Sequence, residues 1–233
     1  MKTRLFAATL SLSVGFCLIS TVNAAILAKW DTYNDSNATG GYQADATLSG
    51  FTATITGPAF TTSGSYYSND GTFGGTVGGA STANTRGIRV SAGFPTATFT
   101  LTNSTGTDYT INSLHFDYEV REAGTGFTLV YTSGGLGPAS TTIATVPTVP
   151  FIGYNDGAFD YTDYDYTLAS FLTDIRLADG ESAVFTFTTT GGSNSSKFID
   201  NIAFQGTSIP EPTTAILAGL GLMGVCFRRR RRY

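Results

Sequence analysis

The chain has 233 residues, only 13% of them charged, and a formal net charge of −4 at pH 7. That length suffices for one sizeable core with flanking segments, and the abundance of Gly, Ser, Thr, Asn and Tyr argues against a helical cytosolic enzyme and for a β-rich extracellular domain with many turns. Residues 25–209 keep six basic residues against sixteen acids, a net charge of −10, and an acidic domain of this kind repels phosphate backbones, which argues against a nucleic-acid partner.

The N-terminus begins Met1-Lys2-Thr3-Arg4, continues through apolar residues from Leu5 to Ile19, and reaches Ser20-Thr21-Val22-Asn23-Ala24-Ala25. A basic start, an apolar run and small residues before a cleavage point predict a secretory signal peptide over 1–24. Its partners would be the export translocon and signal peptidase, which would cut between Ala24 and Ala25. A membrane anchor or core helix is the competing reading, and the small-residue site disfavours it. Phe16 stands where a lipoprotein site at Cys17 would need a small residue. Cys17 and Cys226 both lie in apolar end segments, so the central domain has no disulfide, thiolate metal site or cysteine nucleophile.

Beyond the leader, period-two alternation dominates. Residues 61–85 are rich in Gly, Ser, Thr and Asn and read as a long surface loop. Ala97, Phe99 and Leu101 then alternate with threonines, and Leu114, Phe116, Tyr118 and Val120 alternate with His115, Asp117, Glu119 and Arg121. Phe127, Leu129 and Tyr131 continue the pattern, as do 184–188 and the run Phe198-Ile199-Asp200-Asn201-Ile202-Ala203-Phe204. Such alternation in Thr, Phe, Tyr and Val marks half-buried strands. Asn69-Asp70-Gly71, Ser133-Gly134-Gly135, Asp156-Gly157, Asp179-Gly180 and Gly191-Gly192 punctuate the runs as turns. Residues 170–177 fit one helical turn or a strand equally well. Many strands at short spacing without helical alternation predict an all-β fold, an antiparallel β-sandwich of jelly-roll-like form over 25–207.

Two clusters carry candidate chemistry. His115, Asp117 and Glu119 share one strand face, and residues two apart on a strand lie roughly 6.5–7 Å apart. Paired carboxyls at ~5–5.5 Å or ~6.5–9.5 Å serve retaining and inverting glycosidases, so Asp117 and Glu119 are the residues a secreted glycoside-acting enzyme would use. The plainer reading is an outer sheet face on which Arg121 and cross-strand partners balance the acids. His115 is the sole histidine, with no second imidazole for a zinc site, and no G-x-S-x-G segment supports a Ser-His-Asp triad.

The second cluster runs from Tyr154 to Tyr166. Tyrosine rings stack on sugar faces, and carboxylates bind hydroxyls or Ca²⁺, which makes Tyr154, Asp156, Asp160, Tyr161, Asp163 and Asp165 candidate glycan or calcium contacts. No other cofactor is expected. The competing reading is a strand with Tyr164, Tyr166 and Leu168 inward and Asp163, Asp165 and Thr167 facing water. Asn37, Asn103 and Asn194 each begin an N-x-[ST] sequence.

The C-terminus reads Ile209-Pro210-Glu211-Pro212-Thr213-Thr214, then thirteen uncharged, mainly apolar residues from Ala215 to Phe227, then Arg228, Arg229, Arg230, Arg231, Arg232 and Tyr233. As a helix the apolar run is about 20 Å long, short against a ~30 Å hydrocarbon core. A transmembrane helix over about 213–227 is expected, with the arginines held on the cytoplasmic side. The two prolines leave an extended, protease-accessible stretch before it. Gly219, Gly221 and Gly224 match G-x-G-x-x-G by accident, since no acidic residue follows at the spacing a dinucleotide site needs.

Pro210-Glu211-Pro212, the short span and the arginine cluster resemble the PEP-CTERM sorting signal of Gram-negative bacteria over residues 208–233. That resemblance implies an exosortase-like membrane protease as partner, an inner-membrane intermediate, and delivery to the cell surface or extracellular matrix, often in exopolysaccharide-producing or biofilm-forming bacteria. Ile26 to Asp31 resembles the opening strand of PEP-CTERM ectodomains. The segment 198–202 is similar to the closing strand of jelly-roll, lectin-like modules, which implies glycan binding, in some cases with Ca²⁺. The expectation is a non-enzymatic exported surface protein associated with extracellular polysaccharide; the alternatives are the glycoside-acting enzyme and a ligand-free structural coat protein.

Overall fold

The computed structural model describes residues 24–30, 41–57, 88–90, 95–120, 122–151, 161–191 and 197–210. In chain order the strands are β1 (Ala25–Trp30), β2 (Tyr42–Gln43), β3 (Ala46–Thr47), β4 (Phe51–Thr56), β5 (Ile88–Arg89), β6 (Thr96–Asn103), β7 (Tyr109–Val120), β8 (Gly126–Gly134), β9 (Thr141–Val146), β10 (Thr162–Thr167), β11 (Arg176–Leu177), β12 (Ser182–Thr190) and β13 (Lys197–Ser208). A 3-10 turn, Leu168–Ser170, follows β10. One sheet runs β10-β7-β13-β1-β3, with β11 also paired to β7 and β5 to β13; the other runs β2-β4-β6-β12-β8-β9. Every pairing is antiparallel. The expected all-β antiparallel sandwich is what forms.

Alternation explains the second sheet directly. β12 places Phe185 opposite Phe99 of β6 and Tyr131 of β8, and Phe187 opposite Ala97 and Leu129. All six are fully buried. The intervening threonines form the opposite face and bond across strands, as in Thr132 Oγ1 to Thr186 Oγ1 at 2.6 Å and Thr102 Oγ1 to Ser182 Oγ at 2.7 Å.

Aromatic rings lock the two sheets together. Phe187 stacks on Phe127 at 4.9 Å and meets Phe116 and Tyr118 of the facing sheet edge-on at 5.4 and 5.1 Å. Tyr164 of β10 stacks on Phe116 at 5.5 Å and meets Phe127 edge-on at 4.8 Å. Each fully buried ring of this kind contributes roughly 1.5–3 kcal/mol by leaving water. Two core aromatics have their polar atoms satisfied locally: Trp30 Nε1 donates to the Tyr42 carbonyl at 3.3 Å, and the Leu136 N–H donates to the Tyr131 hydroxyl at 2.9 Å. The buried Tyr118 hydroxyl has no hydrogen-bond partner among the described residues.

β13 departs from the strict alternation its sequence suggests. Asp200 faces Asp117 and Ala203 faces His115, so Asn201 and Ile202 together span a single position of β7. Asn201 adopts a left-handed backbone with φ 44°, a region asparagine enters more readily than most residues. The ambiguous stretch 170–177 contains the last residue of the 3-10 turn and the short strand β11.

Asn103 is fully buried: its Nδ2 donates to the Thr107 and Leu177 carbonyls at 2.8 and 3.0 Å, and its Oδ1 accepts from Thr105 N–H and Oγ1. Its amide nitrogen ties a turn to β11, a structural use of the N-x-[ST] asparagine.

Among the described residues no helix is long and apolar enough to cross a membrane. The expected signal helix, the loop over 61–85 and the expected transmembrane span at 213–227 all lie outside the described residues.

Candidate functional site on the outer sheet face

The sheet β10-β7-β13-β1 turns one face to the aromatic core and the other outward, and its register sorts the outward side chains into rows. Asp165, His115, Ala203 and Lys29 share a row across four strands. Thr167, Ser113, Gln205 and Ile26 form the adjacent row. On the other side lie Asp163, Asp117 and Asp200, and beyond them Glu119 faces Phe198, itself opposite Arg89.

The middle of this face is a hydrogen-bonded chain. His115 Nδ1 contacts the Asp165 carboxylate, and His115 Nε2 lies 2.7 Å from Ser113 Oγ. Ser113 Oγ is in turn 3.4 Å from Gln205 Oε1, placed to donate to it. The Ser113 residue is 9% exposed, and the His115 and Asp165 side chains 16% and 65%. Burial pushes the His115 imidazole below its ordinary value; the bond and charge of Asp165 oppose that shift without reversing it.

The aspartate row is more deeply set. Asp117 and Asp200, directly opposed, are each only 2% exposed. Two carboxylates placed so are mutually unfavourable, and Asn201 offsets this by donating Nδ2–H to Asp117 Oδ2 at 2.7 Å and its backbone N–H to Asp200 Oδ1 at 2.9 Å. Among the described residues no group of three or more His, Cys, Asp or Glu is arranged to hold a metal ion. At the sandwich end Lys197 is buried; its Nζ donates to the Gly191 carbonyl at 2.8 Å, and loss of hydration lowers its pKa.

The sequence-predicted residues fall into three groups. Asp117 and Glu119 share a face as expected, but that face is not open to water there: Glu119 is 5% exposed, and Phe198, fully buried, lies opposite it. Both acids are therefore buried on the outer sheet face. Of the 154–166 cluster, Asp163 and Asp165 are exposed on β10, Tyr161 is buried, and Tyr154, Asp156 and Asp160 lie outside the described residues. At the termini, Ala24 is exposed, Ala25 opens β1 and Pro210 is exposed, whereas Glu211, Pro212 and Arg228 to Arg232 lie outside the described residues. Sequence reasoning missed Ser113, Gln205 and the partner role of Asp165. The Ser113–His115 spacing of two was a usable signal, but Asp165 joins them only through the β10–β7 register.

Residues 208–231 match the family model of the PEP-CTERM protein-sorting motif. The segment is a PEP-CTERM sorting motif. That motif marks bacterial proteins for the cell envelope or surface and implies processing by an exosortase. No curated protein matches the sequence. Among solved structures, the chain is similar to a cleaved adhesin domain of Lys-gingipain from Porphyromonas gingivalis, with a TM-score of 0.34 and 11% identity over 78% of this chain and 99% of that one.

Proposed function

We propose that the protein is an exported surface or matrix protein of a Gram-negative bacterium, trimmed at both ends, whose jelly-roll-like sandwich binds extracellular polysaccharide rather than cleaving it. The observation that carries the trimming is the pairing of the two terminal strands. β1 starts at Ala25, β13 ends at Ser208, and Ala25 lies opposite Gly206. Signal peptidase cutting before Ala25 and an exosortase cutting near Pro210 would both act just outside a complete strand pair, so neither cut removes a ladder hydrogen bond. Both processed ends emerge at the same end of the same sheet, which orients that end toward the membrane in the intermediate.

Two features support the polysaccharide part. Among the described residues, Phe151 and Phe171 are the large apolar side chains that stand exposed, at 50% and 40%, and aromatic rings stack on sugar faces. Phe171 is steadied by an edge contact with Tyr166 at 6.2 Å. The glycosidase reading through Asp117 and Glu119 loses support from the burial of both carboxyls.

Mass spectrometry of the secreted protein tests the trimming: termini at Ala25 and near Pro210 are expected, and retention of Arg228 to Arg232 in extracellular material refutes it. Retention on exopolysaccharide columns, with and without Ca²⁺, tests the binding; no retention in either condition, or retention unchanged in Phe171→Ala and Phe151→Ala, refutes that part.

A further inference from the structure

For a neutral imidazole, donor and acceptor counting assigns the protons along the chain Asp165–His115–Ser113–Gln205. An ionised carboxylate only accepts, so His115 Nδ1, which faces Asp165, carries the imidazole proton. In the neutral ring Nε2 is then the acceptor, and Ser113, with one hydroxyl proton, must donate it there across 2.7 Å. Ser113 Oγ lies 3.4 Å from Gln205 Oε1; once its proton is given to Nε2, a half-turn of the amide, which leaves its position unchanged, brings the Gln205 NH₂ to Oγ instead.

We infer that Ser113, His115 and Asp165 form a nucleophilic triad on the outer sheet face, with Gln205 as a neighbouring donor, that accepts acyl groups from esters. Ser113 Oγ attacks the ester carbonyl while its proton passes to His115 Nε2; the new C–O bond forms and the carbonyl oxygen gains negative charge. The ester C–O bond then breaks, and the departing alkoxide takes the proton from His115. A water molecule, deprotonated by the same Nε2, hydrolyses the acyl-serine and restores the hydroxyl. Asp165 is a positioning residue that holds the tautomer. The depressed pKa of His115 keeps the ring neutral, and so competent as a base, at pH 7. Ser113 is flanked in its row by Thr167 and Gln205, polar neighbours suited to an acetyl ester of a polyol or sugar.

The test uses the full-length chain with a fluorophosphonate probe and with p-nitrophenyl acetate. The expected result is a phosphonyl adduct mapped to Ser113, together with nitrophenolate release. Both should disappear in Ser113→Ala, slow about 10²-fold in His115→Gln, and slow to a smaller extent in Asp165→Asn, whose exposed carboxylate makes the change harmless to folding. The labelling rate should rise with pH to a plateau, with a midpoint below 6.5. Equal melting temperatures for wild type and Asp165→Asn establish that the comparison is between folded proteins. A folded protein without an adduct at Ser113, without nitrophenolate release above Ser113→Ala, or with His115→Gln reacting at the wild-type rate would overturn the triad.

Discussion

Phe187→Ala probes the contact that makes one core out of two sheets. The ring is fully buried, stacks on Phe127 at 4.9 Å within its own sheet, and meets Phe116 and Tyr118 of the facing sheet edge-on. Truncating a buried Phe costs about 3–5 kcal/mol, and aromatic pairs add about 0.5–1.5 kcal/mol each beyond burial; with three such partners, the upper end, about 4–5 kcal/mol, is expected. Domains are stable by only about 5–15 kcal/mol, so the variant should sit close to unfolding at 25 °C. Urea unfolding reports this cleanly, because Trp30 is the only tryptophan and is fully buried, so its fluorescence follows global unfolding. The inter-sheet part is isolated by a double-mutant cycle of Phe116→Leu and Phe187→Leu, with an expected coupling of about 0.5–1.5 kcal/mol. A Phe187→Ala cost below about 2 kcal/mol, or a coupling indistinguishable from zero, would refute the account of the aromatic core as the bond between sheets.

Three further expectations follow from the same geometry. Asn201→Gly keeps the left-handed bulge but removes the amide held to Asp117, and should cost about 1.5–3 kcal/mol; Asn201→Ala should cost about 1–2 kcal/mol more, and equal chemical-denaturation midpoints for the two would contradict the backbone part. Gly180 and Gly134 both have positive φ, but a Cβ on Gly180 meets nothing within 4 Å whereas one on Gly134 lies 2.0 Å from the Ser182 carbonyl oxygen; Gly134→Ala should therefore lower the melting temperature clearly more than Gly180→Ala, which carries only the conformational cost of about 1–2 kcal/mol. Desolvation raises the pKa of Tyr118, Tyr131, Tyr164 and Tyr166, the last to about 12; because the unfolded phenols release protons first, stability should fall as pH rises above about 10, and tyrosinate absorbance from these rings that grows while near-UV dichroism stays native would contradict the burial.

What the sequence made legible was whatever alternation alone decides. Phe185 and Phe187 separated by Thr186 could be placed inward without a structure, and so could Tyr164 and Tyr166 on β10, which the fold stacks and tilts onto Phe116 at 5.5 and 6.0 Å. Period two cannot express a bulge, however, so the run 198–204 misled: a single left-handed residue, Asn201, shifts its register against β7. Polarity was the second false guide. Asp117 and Glu119 look water-facing because acids are rarely buried unpaired, but both are buried, with Phe198 opposite Glu119 and the Asn201 amide on Asp117, neighbours that only the register brings near. The same holds for the site: Ser113 and His115 are adjacent on one strand, but Asp165 reaches His115 from 50 positions away in the chain.

The outer-face chain and the processed ends belong to one stretch of sheet, and that ties their fates together. Gln205 lies opposite both Ser113 and Ile26, one position from the Ala25–Gly206 pair and three residues before β13 ends at Ser208, which is about 10 Å along a strand. On the proposed route the sorting tail holds this end of the sheet against the membrane until an exosortase cuts near Pro210, so the Ser113 row lies close to the bilayer before release and in open solution after it. Fluorophosphonate labelling of Ser113 should therefore be slower for tethered protein in membrane vesicles than for the same protein after processing, while the midpoint of its pH profile, set by the burial of His115 within the sheet, stays where it was. Equal rates in the two forms would mean that the processed end does not shield the Ser113 row; a shifted midpoint would mean that the tether reaches the His115 environment itself.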